Sequence, residues 1–401
     1  MNLGIIRKID EYLGPLVCRF FYWLEQLSHP SRKRNIIENL TPKKILIIKF
    51  FGLGTILLTS PALRILKEKY HDAEITILTT TSNVTVCSML PTLDKVLDIN
   101  IKNPASFLIS YLKLLNSFRK EHYDLIIDLE FLTNFSSLTT ILCMFLGKSR
   151  VSIGFNSPQQ WRNRIYNYTV SFDHSRHISK IFMKLVSILF DEKIRDDIDF
   201  NTERKVFIEN ADKKYFDKLL KKEDALKKCR HIVCVNINAG FLCLHRRWPE
   251  EYYREILEKL LKIQDMGIVL IGGKEDENYV SGLYRKIPSN PRLVNVCGMN
   301  TIKELMGLFV KSNLLITNDS GPLHIAYLIG LPTISFFGPE TPFLYGPIGH
   351  EHHIFYEDIY CSPCLNIYNS KFSKCKNNIC LRNITPEKVL KVLKEKYHYC
   401  L

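Results

Sequence analysis

From residue 44 onward, short runs of Ile, Leu and Val alternate with longer stretches in which apolar residues recur at helical spacing. Residues 45–48, 74–79, 96–100, 125–129 and 150–154 read as strands, and 56–69, 107–119 and 138–146 as helices. The strand runs are apolar on both faces, as in a parallel sheet covered by helices on both sides. The second half repeats this pattern, with strands over 232–237, 267–271, 293–295, 314–316 and 333–337. Its helices fall at 252–262, 277–286, 302–310 and 323–328. Residues 155–200 break the pattern and read as loops or a lid. A Lys-rich helix over 212–228 enters the second half, and a last helix, 386–396, is expected to return towards the first. The alternation predicts an α/β protein of two similarly built parallel sheets, with their ligand turns facing across a cleft. The divisions expected are an amphipathic extension over 1–43, a first domain over 44–205 and a second over 206–401.

A length of 401 residues is enough for two full cores, and 46% hydrophobic with 24% charged residues excludes general disorder. A net charge of +14 suits anionic partners such as phosphorylated sugars or a membrane surface. The basic residues are scattered along helices and form no nucleic-acid module, so nucleic acid is not expected as a partner. No segment reads as a membrane span or a cleavable signal, and a reducing compartment is therefore expected. The extension is unusual. The run Leu13-Gly14-Pro15-Leu16-Val17-Cys18-Arg19-Phe20-Phe21-Tyr22-Trp23-Leu24 is rich in aromatics and precedes Arg32-Lys33-Arg34. It suits either a helix lying in a membrane interface or one packed on the protein.

The stretch Thr317-Asn318-Asp319-Ser320-Gly321-Pro322 follows a strand and opens a helix that carries His324 one turn on. Strand, polar Gly turn and helix build an anion pocket at the carboxyl edge of a sheet. Free N–H groups at the helix start face the ligand, and Gly321 admits close approach. A helix cap explains one of these polar residues but not the series. In the first half Lys49-Phe50-Phe51-Gly52-Leu53-Gly54-Thr55 makes a similar strand-to-helix turn, with Lys49 and Thr55 at its mouth. Neither turn carries a dinucleotide fingerprint or a Walker motif, which leaves a dehydrogenase a weak third reading. Among twelve cysteines, Cys361-Ser362-Pro363-Cys364 with Cys375 and Cys380 has the make-up of a four-cysteine structural zinc site. Zinc and free thiols both fit that spacing.

In order along the chain, these motifs resemble the heptosyltransferase-type glycosyltransferases of glycosyltransferase family 9. The resemblance runs from about Lys44 to the end. It rests on the Gly-Leu-Gly turn with Leu58-Thr59-Ser60-Pro61-Ala62-Leu63-Arg64, on Tyr123 to Glu130, and on Asn238-Ala239 with Arg246-Arg247-Trp248-Pro249. It rests further on Ile271-Gly272-Gly273, Asn318 to His324, Phe337-Gly338-Pro339 and Tyr345-Gly346-Pro347. The cysteine-rich tail is similar to that of one branch.

This resemblance implies two Rossmann-like domains in the GT-B arrangement and inverting transfer of heptose or a similar sugar from a nucleotide-sugar, ADP-heptose above all. The acceptor implied is a lipid-linked saccharide of the lipopolysaccharide core, met at the cytoplasmic surface of the inner membrane, with no cofactor required for catalysis. It assigns Asp319, Ser320, Gly321 and His324 to the donor diphosphate and sugar. Arg246 falls to phosphate charge, Glu275 or Glu277 to the ribose, and Asn300 to the base. Gly52, Gly54, Thr55 and His177 fall on the acceptor side. One departure matters: where many members place a general-base Asp after the second turn glycine, this chain has Thr55, which accepts no proton at neutral pH. Glu130, at the end of the strand over 125–129, is the nearest substitute, followed by Asp128, with Lys49 beside them. The same departure motivates a second reading, a silent member that binds sugar nucleotide or glycolipid as a scaffold.

Overall fold

The computed structural model describes residues 10, 12–28, 37, 40–131, 133–149, 151–156, 162–190, 198–240, 243–299, 301–366 and 373–399. They divide into two compact units, Met1–Phe200 and Asn201–Leu401. Of the sequence expectations, Asn300, Arg150, Trp161, Arg32, Lys33 and Arg34 lie outside the described residues.

The first unit holds one sheet of β1 (Lys44–Ile48), β2 (Glu74–Thr80), β3 (Lys95–Ile99), β4 (Leu125–Asp128), β5 (Val151–Asn156) and β6 (Tyr168–Ser171). The strand order is β3-β2-β1-β4-β5-β6, and every neighbouring pair is parallel. The order reverses between β1 and β4, whose ends lie level because Ile48 pairs Asp128. A crevice at that reversal is where such sheets hold ligands.

The helix expected over 56–69 is two helices, Leu53–Leu57 and Ser60–Lys69. The break has a local cause. Thr59 and Ser60 donate their hydroxyls back to the carbonyls of Ile56 and Leu57, at 2.6 and 2.7 Å, and Pro61 has no N–H to continue the ladder. The stretch 155–200 is more ordered than its sequence suggested, for it contains β6 and the helix Ile178–Ser187.

On one flank of the sheet the apolar helix Asn134–Gly147 packs between Pro104–Lys120 and the N-terminal helix Gly14–Ser28. Asp10 fastens the extension there. Its carboxylate accepts from the backbone N–H groups of Asn134 and Phe135 at 2.9 and 2.8 Å and from the Thr133 hydroxyl at 3.0 Å, filling the open start of the helix.

The second unit repeats the topology. Its sheet holds β7 (His231–Asn236), β8 (Met266–Leu270), β9 (Leu293–Asn295), β10 (Leu314–Asn318), β11 (Thr333–Phe337) and β12 (His353–Tyr356). The order β12-β11-β10-β7-β8-β9 is again all parallel and reverses between β7 and β10. The Lys-rich segment breaks at Glu223 into Lys213–Lys222 and Asp224–Lys227. The last helix, Pro386–Glu395, packs on its own unit. Val389 and Leu393 are fully buried in this unit's own core with Tyr253 and Leu257, because their four-residue spacing places them on one apolar face. Among the described residues, no helix is long and apolar enough to cross a membrane.

Candidate active site

The densest polar cluster lies at the reversal of the second sheet. Strand β7 ends at Asn236 and runs into Ile237-Asn238, β10 ends in Thr317-Asn318, and their side chains knit the two strand ends together. Asn236 Nδ2 donates to Thr317 Oγ1 and to Ser320 Oγ, both at 2.9 Å. Asn318 Nδ2 donates to the carbonyls of Ile237 and Asn238 at 2.9 and 3.1 Å, while its Oδ1 accepts from the Trp248 backbone N–H at 2.8 Å. All of these residues are buried. A network of this kind holds a loop in one geometry. Trp248 anchors the Arg-Arg-Trp-Pro segment by stacking on Phe336, with ring centroids 4.3 Å apart, and by donating Nε1–H to the Ile384 carbonyl at 2.8 Å.

That anchoring aims Arg246 at the turn after β10. Its Nη1 donates to Asp319 Oδ2 at 3.1 Å, and Asp319 together with buried Glu340 holds the guanidinium charged in spite of its burial. Arg246 Nε, also buried, has no hydrogen-bond partner among the described residues, nor does Asn238 Oδ1. Ser320 starts the helix Gly321–Ile329 without capping it, since its hydroxyl is engaged by Asn236 and Thr317. His324, one turn in, is 5% exposed, and burial lowers its pKa to about 4, against the opposing pull of Asp319. It is therefore a neutral imidazole at pH 7. A fixed guanidinium, a neutral imidazole and a helix N-terminus together have the chemistry to hold an anion.

Glu275 and Glu277 flank the turn after β8, both exposed. Gly272 is required there, because a Cβ would sit 2.5 Å from Asn238 Nδ2 and 2.7 Å from Cys297 Sγ. Between the two glutamates Asp276 accepts from Arg247 Nη2 at 3.4 Å, and the Arg247 guanidinium lies 4.0 Å over the Tyr279 ring. Sequence reasoning missed Asn236, Glu340, Asp276 and Arg247. The Asn-x-Asn at the end of β7 was the signal available for the first of these.

At the reversal of the first sheet, Glu130 reaches from the end of β4 across to the turn after β1. Its Oε1 accepts from Lys49 Nζ at 2.8 Å and from the backbone N–H groups of Phe50 and Phe51 at 2.8 and 2.9 Å. Lys49 also donates to the Phe51 carbonyl at 2.9 Å. Both side chains are buried, so the pair clamps the Gly52 turn. Three donors thus engage the Oε1 of the residue expected as general base, and Glu130 is buried, so the geometry favours an anchoring role for it. Asp128, the second candidate, lies deeper. It is fully buried, accepting from Tyr166 at 2.6 Å, from Thr140 at 3.4 Å and from the Glu130 N–H at 2.9 Å, which makes it a strut.

Gly52 has φ +84°, a conformation that suits glycine. Thr55 Oγ1 closes the turn by donating to the Gly52 carbonyl at 2.8 Å, and Gly54 is buried in the short helix that follows. His177 starts the helix Ile178–Ser187, with Nδ1 accepting from the Ser179 N–H at 3.3 Å.

Cys361 is exposed, Cys364 and Cys375 are half-buried and Cys380 is buried. They lie close enough that their neighbours' charges oppose ionisation of Cys364 and Cys380, on top of burial, which pushes Cys380 up to about 11. Among the described residues, however, no group of three or more His, Cys, Asp or Glu is arranged to hold a metal ion.

Residues 111–374 match glycosyltransferase family 9 (heptosyltransferase). The chain belongs to that family. It is a glycosyltransferase of the heptosyltransferase type, and its two Rossmann-like α/β units are the fold expected of one. The lipooligosaccharide heptosyltransferase 2 of Campylobacter jejuni is 24% identical over 344 residues, which cover 85% of this chain and 94% of that protein. The glycosyltransferase family 9 protein of Veillonella parvula superposes with a TM-score of 0.65 at 20% identity, covering 88% of this chain and 96% of that one. The Escherichia coli heptosyltransferase WaaC, solved with ADP-2-deoxy-2-fluoro heptose, gives 0.64 at 16% identity, covering 88% and 99%. This family 9 chain thus keeps the fold while the turn after β1 carries Thr55.

Proposed function

We propose that this glycosyltransferase moves a heptose, or a similar sugar, from ADP-heptose to a lipopolysaccharide-core or related glycolipid acceptor, with inversion at the anomeric carbon. The observation that carries this reading is the Arg246–Asp319 pair beside neutral His324 at the start of the helix Gly321–Ile329. Bond breaking transfers negative charge to the departing nucleoside diphosphate. Arg246, oriented by Asp319 and with Nε unengaged, supplies fixed positive charge at that point, and the helix N-terminus adds its dipole. These groups carry the charge without a required cofactor. Exposed Glu275 and Glu277, beside the Gly272 turn, are the acceptors proposed for the ribose hydroxyls, and Asn300 is proposed for the base. The ligand solved with the Escherichia coli relative supports ADP-heptose as the first donor to try.

The test is direct. The protein is incubated with ADP-heptose and a heptose-free lipid A–core acceptor, and both ADP release and the acceptor's mass are followed. We expect transfer from ADP-heptose in preference to UDP- and GDP-sugars, an inverted anomeric centre by NMR, and activity that survives chelation by EDTA. Nucleotide binding without transfer from any donor favours the scaffold reading, which the carboxylate-free Thr55 position motivates. We place the acceptor at the cytoplasmic face of the inner membrane. We also propose a structural zinc on Cys361, Cys364, Cys375 and Cys380, supported by the C-x-x-C spacing. Elemental analysis should find about one zinc per chain, and four freely titrating thiols with no zinc overturn that assignment.

A further inference from the structure

The N-terminal helix Gly14–Ser28 is apolar on two opposite faces. One face packs inward: Cys18, with no exposure, and half-buried Phe21 and Tyr22 meet Leu138, Ile141, Ile165 and Tyr166. The other faces solvent. Leu13, Leu16, Phe20, Trp23 and Leu27 recur at three- and four-residue spacing and are each more than half exposed. At helical spacing they form one stripe directly opposite Cys18. Soluble proteins rarely leave so continuous an apolar stripe uncovered unless something binds it.

The same flank carries a second exposed apolar group. The helix Pro104–Lys120 packs on the other side of Asn134–Gly147 and exposes Leu108, Ile109 and Leu112, each more than half. The charge here is one-sided. Pro104–Lys120 contains Lys113, Arg119 and Lys120 and no acid, Asn134–Gly147 contains no charged residue, and Gly14–Ser28 contains Arg19 against Glu25. Asp10 is consumed in capping Asn134–Gly147, and Glu121, next after Lys120, is paired with Lys95 and Lys44, so with Glu25 and Asp98 counted the flank is still net basic.

We infer that this three-helix flank is a docking surface for an anionic lipid bilayer. The Leu16–Phe20–Trp23 stripe and the Leu108–Leu112 edge enter the interface, while Arg19, Lys113, Arg119 and Lys120 meet headgroup phosphates. Apolar side chains with basic neighbours are what an interfacial helix needs, and the net positive charge matches an anionic bilayer while it would repel a second copy of the same flank. The inference rests on the membrane-face acceptor proposed above, and it names the surface.

Flotation with vesicles of phosphatidylcholine, with and without about 30% phosphatidylglycerol, tests it on the full chain. The parent should float with the anionic vesicles and much less with the neutral ones. The variant Leu16→Ser/Phe20→Ser/Trp23→Ser should lose on the order of a hundredfold in partitioning, and Lys113→Glu/Lys120→Glu should lose its preference for anionic vesicles. Vesicles of brominated lipid should quench tryptophan emission in the parent and not in Trp23→Phe. The substituted side chains are exposed, so folding is expected to persist, and the thermal shift given by ADP monitors it. That shift also reads the donor pocket independently, so its absence from the parent counts against the donor reading and not against docking. Equal flotation of the parent and the triple-serine variant overturns the inference. So does a parent that ignores vesicles and sediments as a dimer which the triple-serine variant breaks.

Discussion

Lys49 and Glu130 form a buried ion pair of 2.8 Å that ties the end of β4 to the turn after β1. Their side chains are only 3% and 5% exposed, and the same carboxylate oxygen also receives two backbone N–H groups from that turn. The second unit solves the equivalent problem with a neutral group. Asn318, at the end of β10, reaches across the strand reversal to Ile237, Asn238 and Trp248. In both units a side chain at the end of the fourth strand in sequence fixes the loop that leaves the first. The crevice is shaped before any ligand arrives, and such preorganisation is what positioning of reactants requires.

If Glu130 is a clamp, Glu130→Gln leaves Lys49 buried without its counter-charge. Removing one partner of a buried pair costs about 3–5 kcal/mol, so chemical denaturation should show a large drop in stability. Lys49→Met/Glu130→Gln should recover part of it, because the stranded charge is gone. Turnover should fall in step with stability. A Glu130→Gln protein with the parental unfolding midpoint and a turnover number reduced about a hundredfold or more would return Glu130 to the role of proton acceptor.

Most strands were legible because buried parallel strands are uninterrupted runs of Ile, Leu and Val, as in Ile45 to Ile48 or Leu314 to Ile316. The strands that escaped, β6 and β12, are short edge strands. Tyr168-Thr169-Val170-Ser171 and His353-Ile354-Phe355-Tyr356 are only partly buried and carry no long apolar run. Part of the capping at Asn134 was also hidden, since beside the local N-cap Thr133 it comes from Asp10, more than a hundred residues away. At the site, residue types pointed correctly to a polar turn after β10, but sequence cannot show which polar groups face one another. Glu130 and Asp128 look alike as candidates until their donors are seen. Arg247 and Asp276 meet only through the fold.

Arg246 is the group on which donor affinity should depend most. Arg246→Ala removes a charged donor with Nε unengaged, and a hydrogen bond to a charged group is typically worth about 1.5–3 kcal/mol. ADP affinity measured by calorimetry should fall about tenfold to a hundredfold. Arg246→Lys should restore little, because an ammonium cannot hold Asp319 and a phosphate oxygen in one planar fork. Parental ADP affinity in Arg246→Ala would move the diphosphate site elsewhere.

Asn318 tests the knit of strand ends in the second unit. Asn318→Asp keeps the shape and the acceptor for the Trp248 N–H but turns the donor toward Ile237 and Asn238 into a second acceptor. Two carbonyls would then face a buried carboxylate, at a cost of about 1–3 kcal/mol or more. The loop carrying Arg246 should loosen with it, so ADP affinity should fall together with thermal stability. Asn318→Asp with unchanged stability and ADP affinity would mean that this network does not position Arg246.

The pocket also makes a prediction about acid. Burial lowers the His324 pKa from 6.5 to about 4, so between those values the unfolded chain binds a proton that the folded chain refuses. Stability from this residue is complete above about pH 6.5 and is lost as pH falls towards 4. A depression of this size corresponds to roughly 3 kcal/mol. His352, lowered to about 4 chiefly by its own burial, adds a slope of the same sign, so the comparison must be between variants. His324→Asn should flatten part of the loss in denaturation curves taken from pH 7 to pH 4, leaving the share due to His352. ADP binding, in contrast, should show no inflection from His324 between pH 6 and 8, because the imidazole is neutral throughout that range. If His324→Asn loses stability toward acid as steeply as the parent, or if ADP binding tightens on acidification through pH 6.5 in the parent and not in the variant, His324 is protonated in the working pocket. It would then serve the diphosphate as a cation.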